Sequence, residues 1–258
     1  MMHYGARDRT LGGEGMLAID HAASLGLDGV ELNATDWPPN GPLWLAEERE
    51  RLRRHADELG VRIPSVGFGV LNQGALAGTA EQQARGKSIL RQAIVIAHEL
   101  GATVVMMQHL GANAISTPEK VRQVVDGVGE LIPMAVEHGV TLALENTLDA
   151  AANIAILDAV ASPNLKVYYD ICNTWAVGHD VPADIRRLGD RIAQVHFKDR
   201  LPGVTAGCDL GVGIVDVNIC AEALRAIGYD GWVLLETPAG DDPIASGRRN
   251  LDYLKRFI

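Results

Sequence analysis

The fold of this 258-residue chain follows from three apolar segments that each end on a polar side chain: TLALEN (141–146), LKVYYDICN (165–173) and IAQVHFKD (192–199). A fourth segment near the end of the chain, WVLLETP (232–238), has the same pattern. Short apolar segments with β-branched and aromatic residues are typical of β-strands. The polar residues at their ends can all bind a metal ion: Glu145, Asp170, His196 and Glu236.

Side chains alternate between the two faces of a strand, so the residues of each segment divide into two sets. The face that carries the polar end residue also admits other groups: Ala143, Tyr168, Gln194 and Leu234. The opposite face is fully apolar: Leu142, Leu144, Val167, Tyr169, Val195, Phe197, Val233 and Leu235. This pattern is typical of barrel strands whose outer face packs on helices and whose inner end lines a site.

Apolar strands alternate with helices along the whole chain, and eight strand-then-helix units can be counted. Such alternation favours a parallel sheet covered by helices, and a count of eight favours a closed α/β barrel, the (β/α)8 TIM barrel. No change of composition marks a boundary, so we predict a single domain over residues 1–258. Two prolines complicate the pattern. Pro64 lies inside the third predicted strand, and Pro133 should kink or divide the helix predicted over residues 116–138.

Composition and charge restrict the partners of the protein. The formal net charge of −10 argues against a nucleic acid, because phosphate binding depends on clustered Lys and Arg. Three cysteines without a CxxC pair indicate a reducing compartment rather than a disulfide scaffold. The N-terminus lacks an apolar signal region, and no apolar run approaches the roughly 18 residues that span a membrane. We therefore predict a cytoplasmic protein with no nucleic-acid partner and no membrane partner.

The four polar end residues lie on strands five to eight, which are neighbours in a barrel, so they should converge on one point. Two glutamates, one aspartate and one histidine form an oxygen-rich ligand set with one imidazole. A lone glutamate at a strand end is more often a solvated rim residue, but four compatible ligands together favour a metal site. We expect one divalent metal ion, with Mn²⁺ or Mg²⁺ suited best, Mn²⁺ first, and Co²⁺ or Zn²⁺ as alternatives.

Three residues close to these strand ends could bind a substrate. Lys198 shares the inward parity of His196 and could reach a substrate oxygen, with a rim ion pair as the alternative. Asn173 and Trp175 follow the sixth strand, where an amide and an aromatic surface could bind a polyol. Packing of the loop would equally explain Trp175.

Strands two to four contribute further candidates. His109 ends the fourth strand and could contact substrate or metal. Glu31 has the inward parity of the second strand and could bind substrate, with a buried hydrogen-bond network as the alternative. Trp37 and Phe68 lie in the loops after strands two and three and are interpreted as loop anchors, with an apolar wall of the site as the alternative.

The motifs ALEN, YYDICN, HFKD, LGVGIVD and LLET occur in this order, and with them the sequence resembles the xylose isomerase-like TIM barrel superfamily of sugar and sugar phosphate isomerases and epimerases. It looks closest to the ketose 3-epimerase and hydroxypyruvate isomerase branch. The resemblance covers most of the chain and is sharpest from Gly139 to Pro238.

This resemblance implies that Glu145, Asp170, His196 and Glu236 hold one divalent metal and that Glu145 and Glu236 also act as the acid/base pair. It implies a small carbohydrate or keto-acid substrate and, by analogy, a homodimer or homotetramer. Two carboxylates on opposite sides of a sugar could remove a proton from one face and return it to the other, which is epimerisation. Return to the neighbouring carbon would give isomerisation.

Departures from the family pattern leave alternatives open. Ketose epimerases often carry His where this chain has Asn173, and an Arg expected after the metal-binding His is represented only by the nearby Arg200. A related dehydratase of an inosose-like substrate would use similar ligands. An endonuclease IV-like phosphodiesterase is disfavoured by Asn173 and the acidic charge, and a barrel that only binds sugars is disfavoured by the intact ligand set. A phosphorylated substrate stays possible, because the loops after strands seven and eight bind phosphate in many barrels.

Overall fold

The protein's structure, a computed structural model, describes residues 2–34 and 41–258. Most of the Pro-rich loop predicted over residues 35–42, including Trp37, lies outside the described residues. None of the described helices is long and apolar enough to cross a membrane.

Eight strands form the barrel: β1 (His3–Arg7), β2 (Gly29–Ala34), β3 (Ser65–Phe68), β4 (Val104–Gln108), β5 (Thr141–Glu145), β6 (Leu165–Asp170), β7 (Ile192–Phe197) and β10 (Trp232–Leu235). Two short strands pair as an antiparallel hairpin: β8 (Asp199–Arg200) and β9 (Gly207–Cys208). The described helices are α1 (Met16–Leu25), α2 (Ala46–Leu59), α3 (Ala80–Leu100), α4 (Pro118–Gly129), α5 (Ile132–Glu137), α6 (Ala150–Val160), α7 (Ile171–Ala176), α8 (Val181–Leu188), α9 (Val217–Ala226) and α10 (Pro243–Leu254).

The barrel strands are all parallel and close in the order β1-β10-β7-β6-β5-β4-β3-β2, which confirms the predicted (β/α)8 barrel. The pairing of neighbouring strands places the carboxyl ends of β6, β7 and β10 at the same height in the barrel. Asp170 lies opposite His196, and His196 lies opposite Leu234, so that Glu236 follows β10 at the same edge. The closed topology therefore gathers four strand ends that are distant in sequence.

The core divides into two parts in the way that the alternation of side chains predicts. The residues that point into the barrel form a small apolar cluster: Val104, Met106, Ala143, Tyr168 and Leu234. The opposite face joins the large core between barrel and helices, where Leu144, Val195 and Val233 are fully buried. Burying a side chain of this size stabilises the fold by about 1.5–3 kcal/mol.

Both difficult prolines have a structural explanation. The predicted helix over residues 116–138 is divided into α4 and α5, with Pro133 in the first turn of α5, where a missing N–H costs little. Pro64 precedes β3 instead of lying inside it, so the ladder loses no donor. Its carbonyl accepts hydrogen bonds from Thr103 N (3.2 Å) and Gln194 Nε2 (3.3 Å).

The sequence did not predict two elements at the carboxyl ends of the strands, α7 and the β8–β9 hairpin. The hairpin is held by Asp199, which is fully buried and accepts backbone N–H groups from Arg200 (2.8 Å), Gly211 (3.1 Å), Gly213 (2.9 Å) and Val215 (3.1 Å). A side chain at Gly213 would meet Arg200 O and the Asp199 carboxylate, which explains the glycine-rich LGVGIVD segment.

Candidate active site

The four predicted metal ligands meet at the carboxyl end of the barrel. Glu145, Asp170, His196 and Glu236 each offer one ligand atom, and these atoms all lie within 4.8 Å of one another. The first three are buried, and the Glu236 side chain is 19% exposed. A mostly buried group of three carboxylates and one imidazole is a donor set that suits a divalent cation.

Two atoms of this cluster lack hydrogen-bond partners among the described residues. Glu145 Oε2 and His196 Nδ1 are both buried, and His196 Nδ1 lies 3.1 Å from Glu236 Oε2 without hydrogen-bond geometry. Leaving a buried carboxylate oxygen unpaired is costly. A bound cation would satisfy Glu145 Oε2 and, once the imidazole has lost its second proton, His196 Nδ1. The residues therefore fit a metal ion.

The other ring nitrogen of His196, Nε2, contacts two side chains inside the barrel. Nε2 lies 3.2 Å from Glu31 Oε1 and 3.0 Å from the Tyr168 hydroxyl. Glu31 Oε2 accepts hydrogen bonds from Tyr168 (2.6 Å) and Ser65 (2.8 Å). Because the Glu31 carboxylate can only accept, Nε2 carries a proton, and Nδ1 is left as the nitrogen that faces the other ligands.

Asp170 is the last residue of β6 and also the N-cap of α7. One oxygen accepts the backbone N–H of Asn173 (2.8 Å), and the other accepts its side-chain amide (2.8 Å). The same amide also donates to Glu145 Oε1 (3.3 Å), so Asn173 bridges two of the four predicted ligands. Its position beside the cluster follows from the sharp change from strand to helix after Asp170.

Two cations neutralise part of the negative charge. Lys198 Nζ lies 2.8 Å from Asp170 Oδ2 and 3.3 Å from Glu236 Oε2, so its ion-pair partners are two predicted ligands and not the neighbouring Asp199. Arg7, at the end of β1, pairs with Glu236 Oε1 and lies 3.4 Å from Glu31 Oε1.

The two glutamates differ in their electrostatic surroundings. Burial, together with the charges of Glu236 and Asp170, raises the pKa of Glu145 to about 7. Burial also opposes ionisation of Glu236, but the charges of Arg7, Lys198 and His196 outweigh it and hold the pKa of Glu236 well below its usual range. For His196, burial is outweighed by the Glu31 and Glu236 carboxylates, which raise its pKa to about 10.

Three further predicted site residues, His109, Glu31 and Trp175, are wholly or partly buried. His109 donates Nδ1–H to Met107 O (3.0 Å), and its buried Nε2 has no hydrogen-bond partner among residues 2–34 and 41–258. Burial lowers the pKa of His109 to about 4, so the ring is neutral at physiological pH. Glu31 is fully buried within the network under His196, and Trp175 packs against the core, which favours the alternatives left open for both.

A cavity of about 290 Å³ opens beside the cluster, and its wall includes Asn173, Lys198, Arg200, Thr205 and Glu236. A larger surface cavity of about 630 Å³ lies around Leu165 and Lys166, at the opposite end of β6. Of these two cavities, the smaller one adjoins the carboxylate cluster, so we regard it as the candidate substrate pocket.

Arg7 is the site residue that the sequence analysis missed. Arg7 is the last residue of β1, which places it at the same edge of the barrel as the four-residue cluster. The sequence did carry a signal for Arg7, because Glu145, Asp170 and Glu236 are likewise charged residues that directly follow apolar strand residues. The short first strand is too weakly patterned to fix its last residue.

Comparisons with known proteins agree with this geometry. Residues 19–257 match the xylose isomerase-like TIM barrel family. The chain is 31% identical over 247 residues to L-ribulose-5-phosphate 3-epimerase UlaE of Escherichia coli, covering 91% of this chain and 86% of that relative. Among solved structures, an L-ribulose 3-epimerase superposes with a TM-score of 0.84 at 20% identity and covers 99% of this chain and 94% of its own. A D-psicose 3-epimerase from Clostridium cellulolyticum H10, solved with D-tagatose, gives 0.80 at 20% identity and covers 99% of each chain.

Proposed function

The chain belongs to the xylose isomerase-like TIM barrel family, and on that premise we propose that it is a divalent-metal-dependent epimerase of a small ketose or ketose phosphate. The observation that carries the proposal is the buried cluster of Glu145, Asp170, His196 and Glu236, which combines a metal ligand set with two carboxylates able to move protons. The name of the 31% identical relatives supports epimerisation at carbon 3.

We propose that Glu145 and Glu236 form the acid/base pair. They end β5 and β10, which are separated in the barrel by β6 and β7, so the two carboxylates approach the site from different sides. One would take a proton from the carbon next to the substrate carbonyl, and the other would return a proton from the opposite side. A metal ion held by the four ligands would stabilise the negative charge that develops on the substrate oxygens.

Other residues would bind and orient the sugar. Asn173 and Lys198 line the candidate pocket with donors suited to hydroxyl or carbonyl oxygens, and we propose both as substrate contacts. His109, neutral and with an unpaired Nε2, would accept a hydrogen bond if the substrate reaches it. For Glu31 and Trp175 we propose supporting roles, in orienting His196 and in packing α7 respectively.

Proton exchange in D₂O tests the proposal directly. The panel contains L-ribulose, D-psicose and D-tagatose and, where available, the phosphate of each sugar. With Mn²⁺ added, we expect deuterium to appear at carbon 3 of one of these ketoses. NMR would identify both the labelled carbon and the product. The panel also contains keto-acids and an inosose, because loss of water from the inosose would indicate a dehydratase. Bound metal without exchange in any compound would overturn the proposed function.

The metal, the assembly and the location of the protein are further proposals. We propose Mn²⁺ as the native ion, because three carboxylates and one imidazole match its preference, and competition with Mg²⁺, Co²⁺ and Zn²⁺ would test it.

We propose one domain over residues 1–258, a homodimer or homotetramer, and a cytoplasmic location. Light scattering after gel filtration measures the assembly.

A further inference from the structure

Arg7, at the end of β1, connects Glu236, which follows the neighbouring strand β10, to Glu31 and Asn33 on the other neighbouring strand, β2. Its Nη1 pairs with Glu236 Oε1, its Nη2 donates to Asn33 Oδ1 (2.9 Å), and its Nε lies 3.4 Å from Glu31 Oε1. The side chain is 12% exposed. Nη1 and Nη2 donate to acceptors of the protein itself, whereas Nε faces the Glu31 carboxylate without making a hydrogen bond among the described residues. The guanidinium is therefore directed at protein groups and poorly placed to hold a substrate oxygen.

A second carboxylate fixes Asn33, and through it Arg7. Asp8 is buried, and its two oxygens accept hydrogen bonds from the backbone N–H (2.8 Å) and the side-chain amide (3.3 Å) of Asn33. The amide donates to Asp8, so its oxygen must face Arg7. The ends of β1 and β2 thus hold the guanidinium in one orientation.

The contact with Arg7 makes the two oxygens of Glu236 unequal. Oε1 belongs to the pair with Arg7, whereas Oε2 lies 3.1 Å from His196 Nδ1 and 3.3 Å from Lys198 Nζ, on the side of the metal ligands. Without Arg7, the carboxylate could rotate and offer both oxygens to the cluster. A planar guanidinium holds a carboxylate in a fixed geometry better than an ammonium group does.

We propose that Arg7 is a positioning residue for Glu236: it holds Oε1 so that Oε2 alone is presented to the metal ligands and the substrate. The inference rests on the proposed function for its catalytic consequence, but the orientation of Glu236 can be measured without turnover. Arg7 acts here through Glu236 and makes no contact with the reacting atoms.

Kinetics of Arg7 variants test the consequence for turnover. For Arg7→Met we expect kcat to fall about 100-fold, the usual size for a misplaced catalytic group, while KM stays within about threefold. Arg7→Lys keeps the charge and should lose about tenfold. Millimolar guanidinium should restore part of the kcat of Arg7→Ala. Arg9→Met, which removes an exposed arginine two residues away, is the matched control and should equal the wild type.

The visible spectrum of bound Co²⁺ depends on the coordination of the metal ion, and it can be recorded without substrate. We expect Arg7→Met to bind Co²⁺ with an altered d–d spectrum, because a freed Glu236 changes its mode of ligation, while Arg9→Met keeps the wild-type spectrum. Unchanged spectra together with unchanged kcat in Arg7→Met would overturn the proposal. If Arg7→Met fails to fold, Arg7→Lys carries the same comparison. Should the wild type lack epimerase activity, the proposed function fails, and the Co²⁺ spectrum alone decides the role of Arg7.

Discussion

At the scale of single residues, Glu145 and Glu236 bear the same functional group in opposite surroundings. Glu145 is buried beside other carboxylates, which raises its pKa to about 7, whereas Glu236 faces Arg7 and Lys198, which keep it ionised. Environments that separate the pKa values of two acids are a recurrent way of assigning acid and base. In the metal-free protein, this contrast makes Glu236 the stronger candidate for the base.

Replacement of one carboxylate by an amide tests that role. We expect Glu236→Gln to lower kcat by about 10²–10⁴-fold, because an amide cannot accept the proton, while the fold is retained. Circular dichroism would check the fold, and exchange in D₂O would measure the chemistry. Glu58→Gln, on the exposed face of α2, is the matched control. Near-normal exchange in Glu236→Gln would contradict the assignment.

Metal affinity should rise with pH, and the sign follows from the raised pKa values. Without metal, His196 keeps its proton up to about pH 10, and Glu145 keeps its proton up to about pH 7. Ligation requires both groups to be deprotonated, so bound protons compete with the metal. We expect affinity for Mn²⁺ to increase about tenfold per pH unit between pH 7 and 10, and more steeply below pH 7, where two protons are displaced.

Calorimetry in two buffers with different ionisation enthalpies counts the protons released on binding. Glu31→Gln provides the comparison, because it removes the carboxylate that raises the pKa of His196 most strongly. This variant should release fewer protons near pH 8. An affinity that is independent of pH between 6 and 9 would contradict the prediction.

At the scale of elements, the segment between β7 and α9 is organised by one carboxylate. Four backbone N–H groups point to Asp199, which lies out of contact with solvent. We expect Asp199→Ala to lower the free energy of unfolding by roughly 2–4 kcal/mol, because the donors would be left buried without an acceptor.

Urea denaturation of Asp199→Ala measures this loss. Asp230→Ala removes an exposed aspartate just before β10 and serves as the control, with an expected change below about 0.5 kcal/mol. Since Arg200 and Thr205 of the hairpin line the candidate pocket, KM should rise in Asp199→Ala as well. Equal stability of the two variants would contradict the role given to Asp199.

At the scale of the whole molecule, the barrel concentrates four carboxylates, from Glu31, Glu145, Asp170 and Glu236, at one end. A bound divalent cation should therefore stabilise the folded state. At a free Mn²⁺ concentration about 100 times Kd, linkage gives about 2.7 kcal/mol, which corresponds to a rise in Tm of about 5–10 °C for a chain of this size.

Thermal unfolding with Mn²⁺ and with EDTA checks this prediction. Asp170→Asn, which weakens the ligand set, should show a much smaller difference between the two conditions. A Tm that does not respond to any of the four candidate metals would contradict the metal site itself.

The sequence by itself determined the barrel and the convergence of Glu145, Asp170, His196 and Glu236 at one end of it. Alternation with a period of two places Glu145, Asp170 and His196 on the inner face, and eight repeated units leave a closed barrel as the natural solution. These inferences succeed because they depend on local periodicity, which each segment carries independently. The division of the helix at Pro133 was predictable for the same reason, since proline acts through its own backbone.

Only the tertiary structure decided how these groups are supported. The pairing of Arg7 with Glu236 joins residues more than 200 positions apart, and Glu31 on β2 meets His196 on β7 across two intervening strands. Neither contact has a local pattern, because it depends on register and closure of the whole sheet. The burial of Asp199 could not be predicted from the sequence either, because its hydrogen-bond donors are backbone N–H groups, which no side-chain pattern identifies. Periodicity determines the strand face on which a residue lies, and closure of the barrel determines which residues it contacts there.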